Sequence, residues 1–137
     1  GRVTPPPMRP LADADDLAAL LAAPAALLFK HSTRCPISGD AFDEVEAFAR
    51  RHPALPVWIV DVIHARALSR QVEARLGVRH QSPQVILVCD GAAAWDASHF
   101  QVRADVLERK VAALLALLGD PDARDAAAHD AAAHDAA

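Results

Sequence analysis

Lys30-His31-Ser32-Thr33-Arg34-Cys35-Pro36-Ile37-Ser38 is the stretch whose reading decides the fold. An apolar run, Ala25-Ala26-Leu27-Leu28-Phe29, precedes it, and an amphipathic segment runs on from Ile37 to Arg50. The apolar run has no polar face, which is the pattern of a central buried strand. In the later segment Ile37, Ala41, Phe42, Val45, Phe48 and Ala49 share one helical stripe. The carboxylates Asp40, Asp43, Glu44 and Glu46 fall mostly off it and read as a solvated face. The stretch is therefore a strand end, a tight loop and a first helical turn, with Cys35 at the junction. Pro36 suits the first helical position, where its missing N–H would be unpaired anyway. A cysteine there faces the partly positive helix N-terminus, which favours thiolate over thiol.

The rest of the chain falls into place around this junction. Upstream, Asp13 can cap a helix running to Ala23, with Leu17, Leu20 and Leu21 at helical spacing and Pro24 as its stop. Residues 1–10 carry Pro5-Pro6-Pro7 and Pro10 and are expected to be a flexible, Pro-rich arm. Downstream, Val57 to Val62 reads as a second buried strand. His64 to Leu76 reads as a helix with Ala67, Leu68, Val72 and Leu76 inward and Gly77 at its end. Val85 to Val88 is a third strand. Asp90-Gly91 signals a hairpin, with Ala92 to Trp95 returning. Val102, Val106, Val111, Leu114, Leu115 and Leu118 mark a last amphipathic helix.

This order predicts an α/β fold of thioredoxin type over residues 11–119, a central mixed four-stranded sheet flanked by helices. Its βαβ half should be parallel and right-handed. Residues 120–137 repeat Ala-Ala-Ala-His-Asp at 126–130 and 131–135 and are expected to be a low-complexity tail outside the domain.

Composition narrows the functional classes. Apolar residues make up 53% of the chain, enough for a proper core. A net charge of -4 gives no electrostatic case for nucleic acid. No run approaches the ~18 apolar residues of a membrane span, and the start lacks the charged and apolar regions of a signal peptide. Two cysteines do not make a disulfide scaffold, so a reducing cytoplasm and a monomer are expected. Seven histidines invite a metal reading, but His31, His52, His64, His80 and His99 show no close ligand spacing. His129 and His134, five apart, would diverge on a helix, and no CxxC or HExxH pair exists. No metal and no bound cofactor are expected.

The chemistry then rests on Cys35. The amides of Ile37 and Ser38 follow Pro36 and could point at the sulfur, and Lys30, His31 and Arg34 add positive charge nearby. A dithiol oxidoreductase would carry a second cysteine at position 38. Ser38 can hydrogen-bond a thiolate but cannot displace a bound partner, so the implied chemistry is monothiol. Ser82-Pro83 stands just before the third strand, where a thioredoxin-like fold places a cis-proline against the active sulfur. Cys89 lies six residues beyond Pro83, about 20 Å along the strand at ~3.3 Å per residue. Disulfide Cα atoms must approach within ~7 Å, which removes Cys89 as a resolving partner. The competing reading makes Cys35 a small apolar residue at a helix start and Pro83 an ordinary strand-opening proline.

Residues 30–38, together with His80-Gln81-Ser82-Pro83-Gln84-Val85-Ile86-Leu87 and Trp95-Asp96-Ala97-Ser98-His99, resemble the YtxJ-type monothiol bacilliredoxins over about residues 12–118. The resemblance implies removal of bacillithiol from protein mixed disulfides. Cys35 would be the nucleophile, Pro36, Ile37, Ser38, Arg34 and His31 would stabilise its thiolate, and Thr33, Ser82 and Pro83 would hold the substrate. Bacillithiol would be the co-substrate and bacillithiolated proteins the partners. Arg34 and Gln81 depart from the family pattern, which expects a small or polar residue and an acid there. Arg34 suits anionic thiols, and bacillithiol carries carboxylates. Two alternatives stay open: a non-catalytic thioredoxin-like binding or thiol-regulated module, and a thiol peroxidase, for which Thr33 and Arg34 alone are too little.

Overall fold

A computed structural model describes residues 7–119. Its centre is strand β2, Ala25–His31, in which Ala26 to Lys30 are all fully buried. Strand alternation sends Leu27 and Phe29 to one core and Ala26 and Leu28 to the other. Strand β3, Val57–Asp61, pairs with β2 in parallel, matching Leu27 with Val57 and His31 with Asp61. Strand β4, Gln84–Cys89, pairs with its other side antiparallel, matching Lys30 with Gln84 and Ala25 with Cys89.

Between β2 and β3 runs α2, Pro36–Arg51. Its Ala41, Val45, Phe48 and Ala49 pack on Leu27, Phe29 and Val85. On the other face lie α1, Ala14–Ala22, through Leu17 and Leu20, and α3, Arg66–Leu76, through Leu68 and Val72. Asp13 caps α1 by accepting the Asp16 N–H at 2.9 Å. Gly77, with φ 68°, closes α3 in the left-handed conformation. Ala67, expected inward, is exposed, and Ser69 is buried in its place.

The Asp90-Gly91 hairpin forms with φ 51° and 79°, the signs that a two-residue turn needs to match strand twist. The returning strand β5, Ala92–Ser98, runs three residues beyond the expected Trp95, with a bulge opposite Leu87/Val88. A 3₁₀ turn, His99–Gln101, leads into the closing helix. That helix is α over Ala104–Leu107, π over Glu108–Ala112 and α again over Ala113–Gly119. At the start of the π segment Glu108 meets the end of α2, with Oε1 2.8 Å from His52 Nε2 and 3.7 Å from Arg51 Nη1.

The sheet has five strands, not four, in the order β1-β3-β2-β4-β5. Strand β1 is Arg9–Pro10, parallel to β3, inside the stretch expected to be a mobile arm. Proline is tolerated because β1 is an edge with a partner on one side alone. Met8 and Leu11 flank it and are 6% and 3% exposed, the Leu11 N–H reaches the Ile59 carbonyl at 2.7 Å, and the Arg9 guanidinium lies 5.8 Å from the Trp58 ring centre. Burial on both sides of the short strand fixes it where composition suggests only disorder. The remainder of the arm, 1–6, and the tail, 120–137, lie outside the described residues. Among those described, no helix is long and apolar enough to cross a membrane.

A docked arm has a measurable consequence. Met8→Ala should lower unfolding stability by about 2–3 kcal/mol in a urea titration, the usual result of truncating a buried methionine. A free arm would leave the midpoint unchanged.

Candidate active site

The site forms where the chain leaves β2. His31 is the last strand residue, and residues 32–35 make a turn in which the Cys35 N–H donates to the Ser32 carbonyl at 3.2 Å. Cys35 is half-buried and is the N-cap of α2, extended at φ -104° and ψ 120°, with Pro36 following at the helix start. The Ser38 N–H, expected to face the sulfur, donates instead to the Cys35 carbonyl at 3.0 Å, and the Gly39 N–H shares that acceptor at 3.4 Å. Ser38 is fully buried, and its Oγ accepts the Ser32 N–H at 3.3 Å. The hydroxyl that replaces a second cysteine thus ties the loop to the first turn of α2. Ile37 is half-buried one residue before it.

The three nearby cations separate. His31 lies under α2, its ring centre 5.4 Å from Phe29 and 5.5 Å from Phe42, with Nδ1 buried and no hydrogen-bond partner. Burial holds its pKa below the ordinary 6.5, against the opposing pull of Asp61 and of the Ser38 main chain. Arg34 and Thr33 are exposed on the loop, and Arg34 forms no ion pair among the described residues. Lys30 points the other way, since strand alternation puts it on the face of Ala26 and Leu28. Its side chain is fully buried, and burial pushes its pKa down to about 8, with Glu73 opposing. Lys30 therefore does not belong under the Cys35 helix, contrary to the expectation from its position in the chain.

The Ser82-Pro83 bond is cis. Because Gln84 pairs with Lys30, Pro83 stands beside the β2 end from which the Cys35 loop departs. Ser82 is half-buried, with a buried Oγ that has no partner. Buried Gln84 anchors the approach: Oε1 accepts the Gln81 N–H at 3.4 Å, and Nε2 donates to the Arg79 carbonyl at 3.1 Å. Cys89 is opposite Ala25, five register positions from the Lys30–Gln84 pair, or about 17 Å along the sheet.

One neighbour was not evident beforehand. The Pro83 carbonyl accepts the His99 N–H at 2.9 Å, which holds the 3₁₀ turn against the cis-proline. His99 adopts φ 56°, and the next residue, Phe100, is 75% exposed. Histidine is among the residues enriched at positive φ, but no glycine or asparagine marks the turn in the sequence.

A family model described as "Monothiol bacilliredoxin BrxC" matches residues 9–107. The chain belongs to the monothiol bacilliredoxin family. Among solved structures it is similar to a thioredoxin-fold protein to which oxidoreductase activity has been ascribed, at 25% identity and TM-score 0.68, covering 74% of this chain and 91% of that one. It is also similar to thioredoxin from Trypanosoma brucei brucei, at 12% identity and TM-score 0.69, with 84% and 96% covered. Thioredoxin from Fasciola hepatica matches at 20% identity and TM-score 0.64, with 77% and 97% covered. The two thioredoxins show the fold, and family and fold together support thiol oxidoreductase chemistry for this bacilliredoxin.

His31 gives a pH signature. Its folded pKa lies below the unfolded 6.5, so around and below pH 6.5 the folded chain binds fewer protons than the unfolded chain. The stability it contributes is present above pH 6.5 and is lost as pH drops from there through the depressed folded value. His80 shifts in the same direction, through burial first and then Lys30. The urea midpoint should therefore be lower at pH 5 than at pH 7.5. His31→Phe, which keeps a ring against Phe29 and Phe42, should reduce that difference; an equal difference in the variant would place the titration elsewhere.

Proposed function

We propose that the protein is a monothiol oxidoreductase that takes bacillithiol from protein mixed disulfides through Cys35. The observation that carries this reading is Cys35 at the N-cap of α2 beside a cis-Pro83, with Ser38 one turn along and Cys89 at the far end of the sheet. Cys89, the other cysteine of the chain, lies too far along the sheet to resolve a mixed disulfide internally.

The Cys35 thiolate attacks the bacillithiol sulfur of the mixed disulfide. The client–bacillithiol S–S bond breaks, the client sulfur leaves as a thiolate and takes a proton, and a Cys35–bacillithiol disulfide forms. A second bacillithiol thiolate then attacks the bacillithiol sulfur, which releases bacillithiol disulfide and restores Cys35. Overall one free bacillithiol is consumed: the client sulfur passes from disulfide to thiol, and the incoming bacillithiol sulfur passes from thiol to disulfide. The rim of Thr33, Ser82, Pro83 and exposed Phe100 would receive the client chain, and Arg34 would attract the anionic thiol. Such a cycle suits a cytoplasmic protein acting as a monomer.

The test is a bacillithiolated client protein followed by intact mass. Wild type should remove the adduct in the presence of bacillithiol. Cys35→Ser should lose at least about 10³-fold in rate, since a neutral hydroxyl replaces a thiolate nucleophile. Cys89→Ser should stay within about 2-fold, because distance alone keeps it out of the exchange. Equal removal by Cys35→Ser would refute the proposal. A binding module would show no removal by wild type either.

A further inference from the structure

On the face of the sheet opposite Cys35's helix, a cleft of about 410 Å³ opens between α3 and the loop that precedes β4. Val62, Arg66, Ser69, Arg70, Glu73 and His80 line it. Ser69 is 5% exposed, and its Oγ has no hydrogen-bond partner. Lys30 is 0% exposed, its Nζ also has no partner, and its ammonium lies within electrostatic reach of two of the lining residues, Glu73 and His80. Buried polar groups are normally satisfied, so an orphaned Ser69 hydroxyl in the lining, with the orphaned Lys30 ammonium buried behind it, calls for a missing acceptor. Arg66 and Arg70 are exposed on the outer wall, and neither forms an ion pair among the described residues. The one acid, Glu73, is partly engaged, accepting the His80 N–H at 2.9 Å. Three cations against one carboxylate leave a local positive excess in a chain whose net charge is -4.

The cleft adjoins the catalytic edge. The Val62 N–H donates to the His31 carbonyl at 2.9 Å, and His80 is three residues from Pro83. We infer that this cleft is the subsite for the carboxylates of the low-molecular-weight thiol, with Arg66 and Arg70 at its mouth, Ser69 at its floor and the charge of buried Lys30 behind the lining. The assignment rests on the proposed redox function. It gives Lys30 a reason to sit where an apolar residue would be less costly to bury. Arginine pairs carboxylates through two parallel N–H donors, and a buried ammonium adds a point charge behind them.

The probe is malate, a dicarboxylate without a thiol, titrated calorimetrically into the Cys35→Ser protein so that no exchange chemistry intervenes. Malate should bind saturably with Kd of about 1 mM, a modest affinity suited to a small ligand. Arg66→Ala combined with Arg70→Ala should weaken it at least about 10-fold. Lys30→Met keeps the side-chain length and removes the charge; it should also weaken malate about 10-fold while raising the urea midpoint, which a purely structural lysine would not do together. With Cys35 restored, the double arginine variant should raise KM for bacillithiol about 10-fold and leave kcat within 2-fold. Absence of malate binding, or binding unaltered by all three substitutions, overturns the site. Malate binding with an unchanged KM overturns its assignment to the thiol. Wild-type protein that fails to release bacillithiol sinks the redox reading separately, since the titration on Cys35→Ser does not depend on it.

Discussion

The structure depends on β2 being buried on both faces and paired along both edges. Ala26 to Lys30 have no solvent contact, with one core formed against α2 and the closing helix and another against α1 and α3. A strand held so completely has one free end at which chemistry can be placed, and there the chain turns through Ser32 into the cap of α2. The precision of the site follows from that burial. Cys35 sits on a short turn fixed by main-chain bonds to Ser32 and Ser38, between elements that cannot shift without opening a core.

The same constraint divides the basic residues of one short segment between two places. Lys30 and His31 are adjacent in sequence and opposite in space, because strand period sends them to different faces. His31 becomes an aromatic-flanked ring under the helix that carries the thiol. Lys30 becomes a buried cation behind a separate cleft. Ser38, in the position of a resolving cysteine, closes the loop through the Ser32 amide. Monothiol chemistry and loop rigidity thus share one residue.

Much of the architecture was legible. The apolar runs of β2, β3 and β4 have a signature that few alternatives share, and Asp90-Gly91 dictates its turn through two positive φ angles. What escaped has physical causes. Strand β1 spans two residues, one a proline, and carries no periodic pattern; the burial of Met8 and Leu11 fixes it. The π segment at Glu108–Ala112 leaves no mark in an amphipathic repeat, since it is a single wide turn that still buries Val111. Of the site, Cys35 and Pro83 could be found from a helix start and an X-Pro before a strand. The direction of the Ser38 amide, the burial of Lys30 and the His99 turn could not, because each depends on what other segments bring to it.

The central claim is that Cys35 acts alone, with no internal partner. Intact mass after incubation with bacillithiol disulfide and glutathione disulfide in parallel tests it most directly. One bacillithiol adduct should form, mapped to Cys35 and faster than the glutathione adduct, with Cys89 untouched. An intramolecular Cys35–Cys89 disulfide, or no adduct on Cys35, would contradict it.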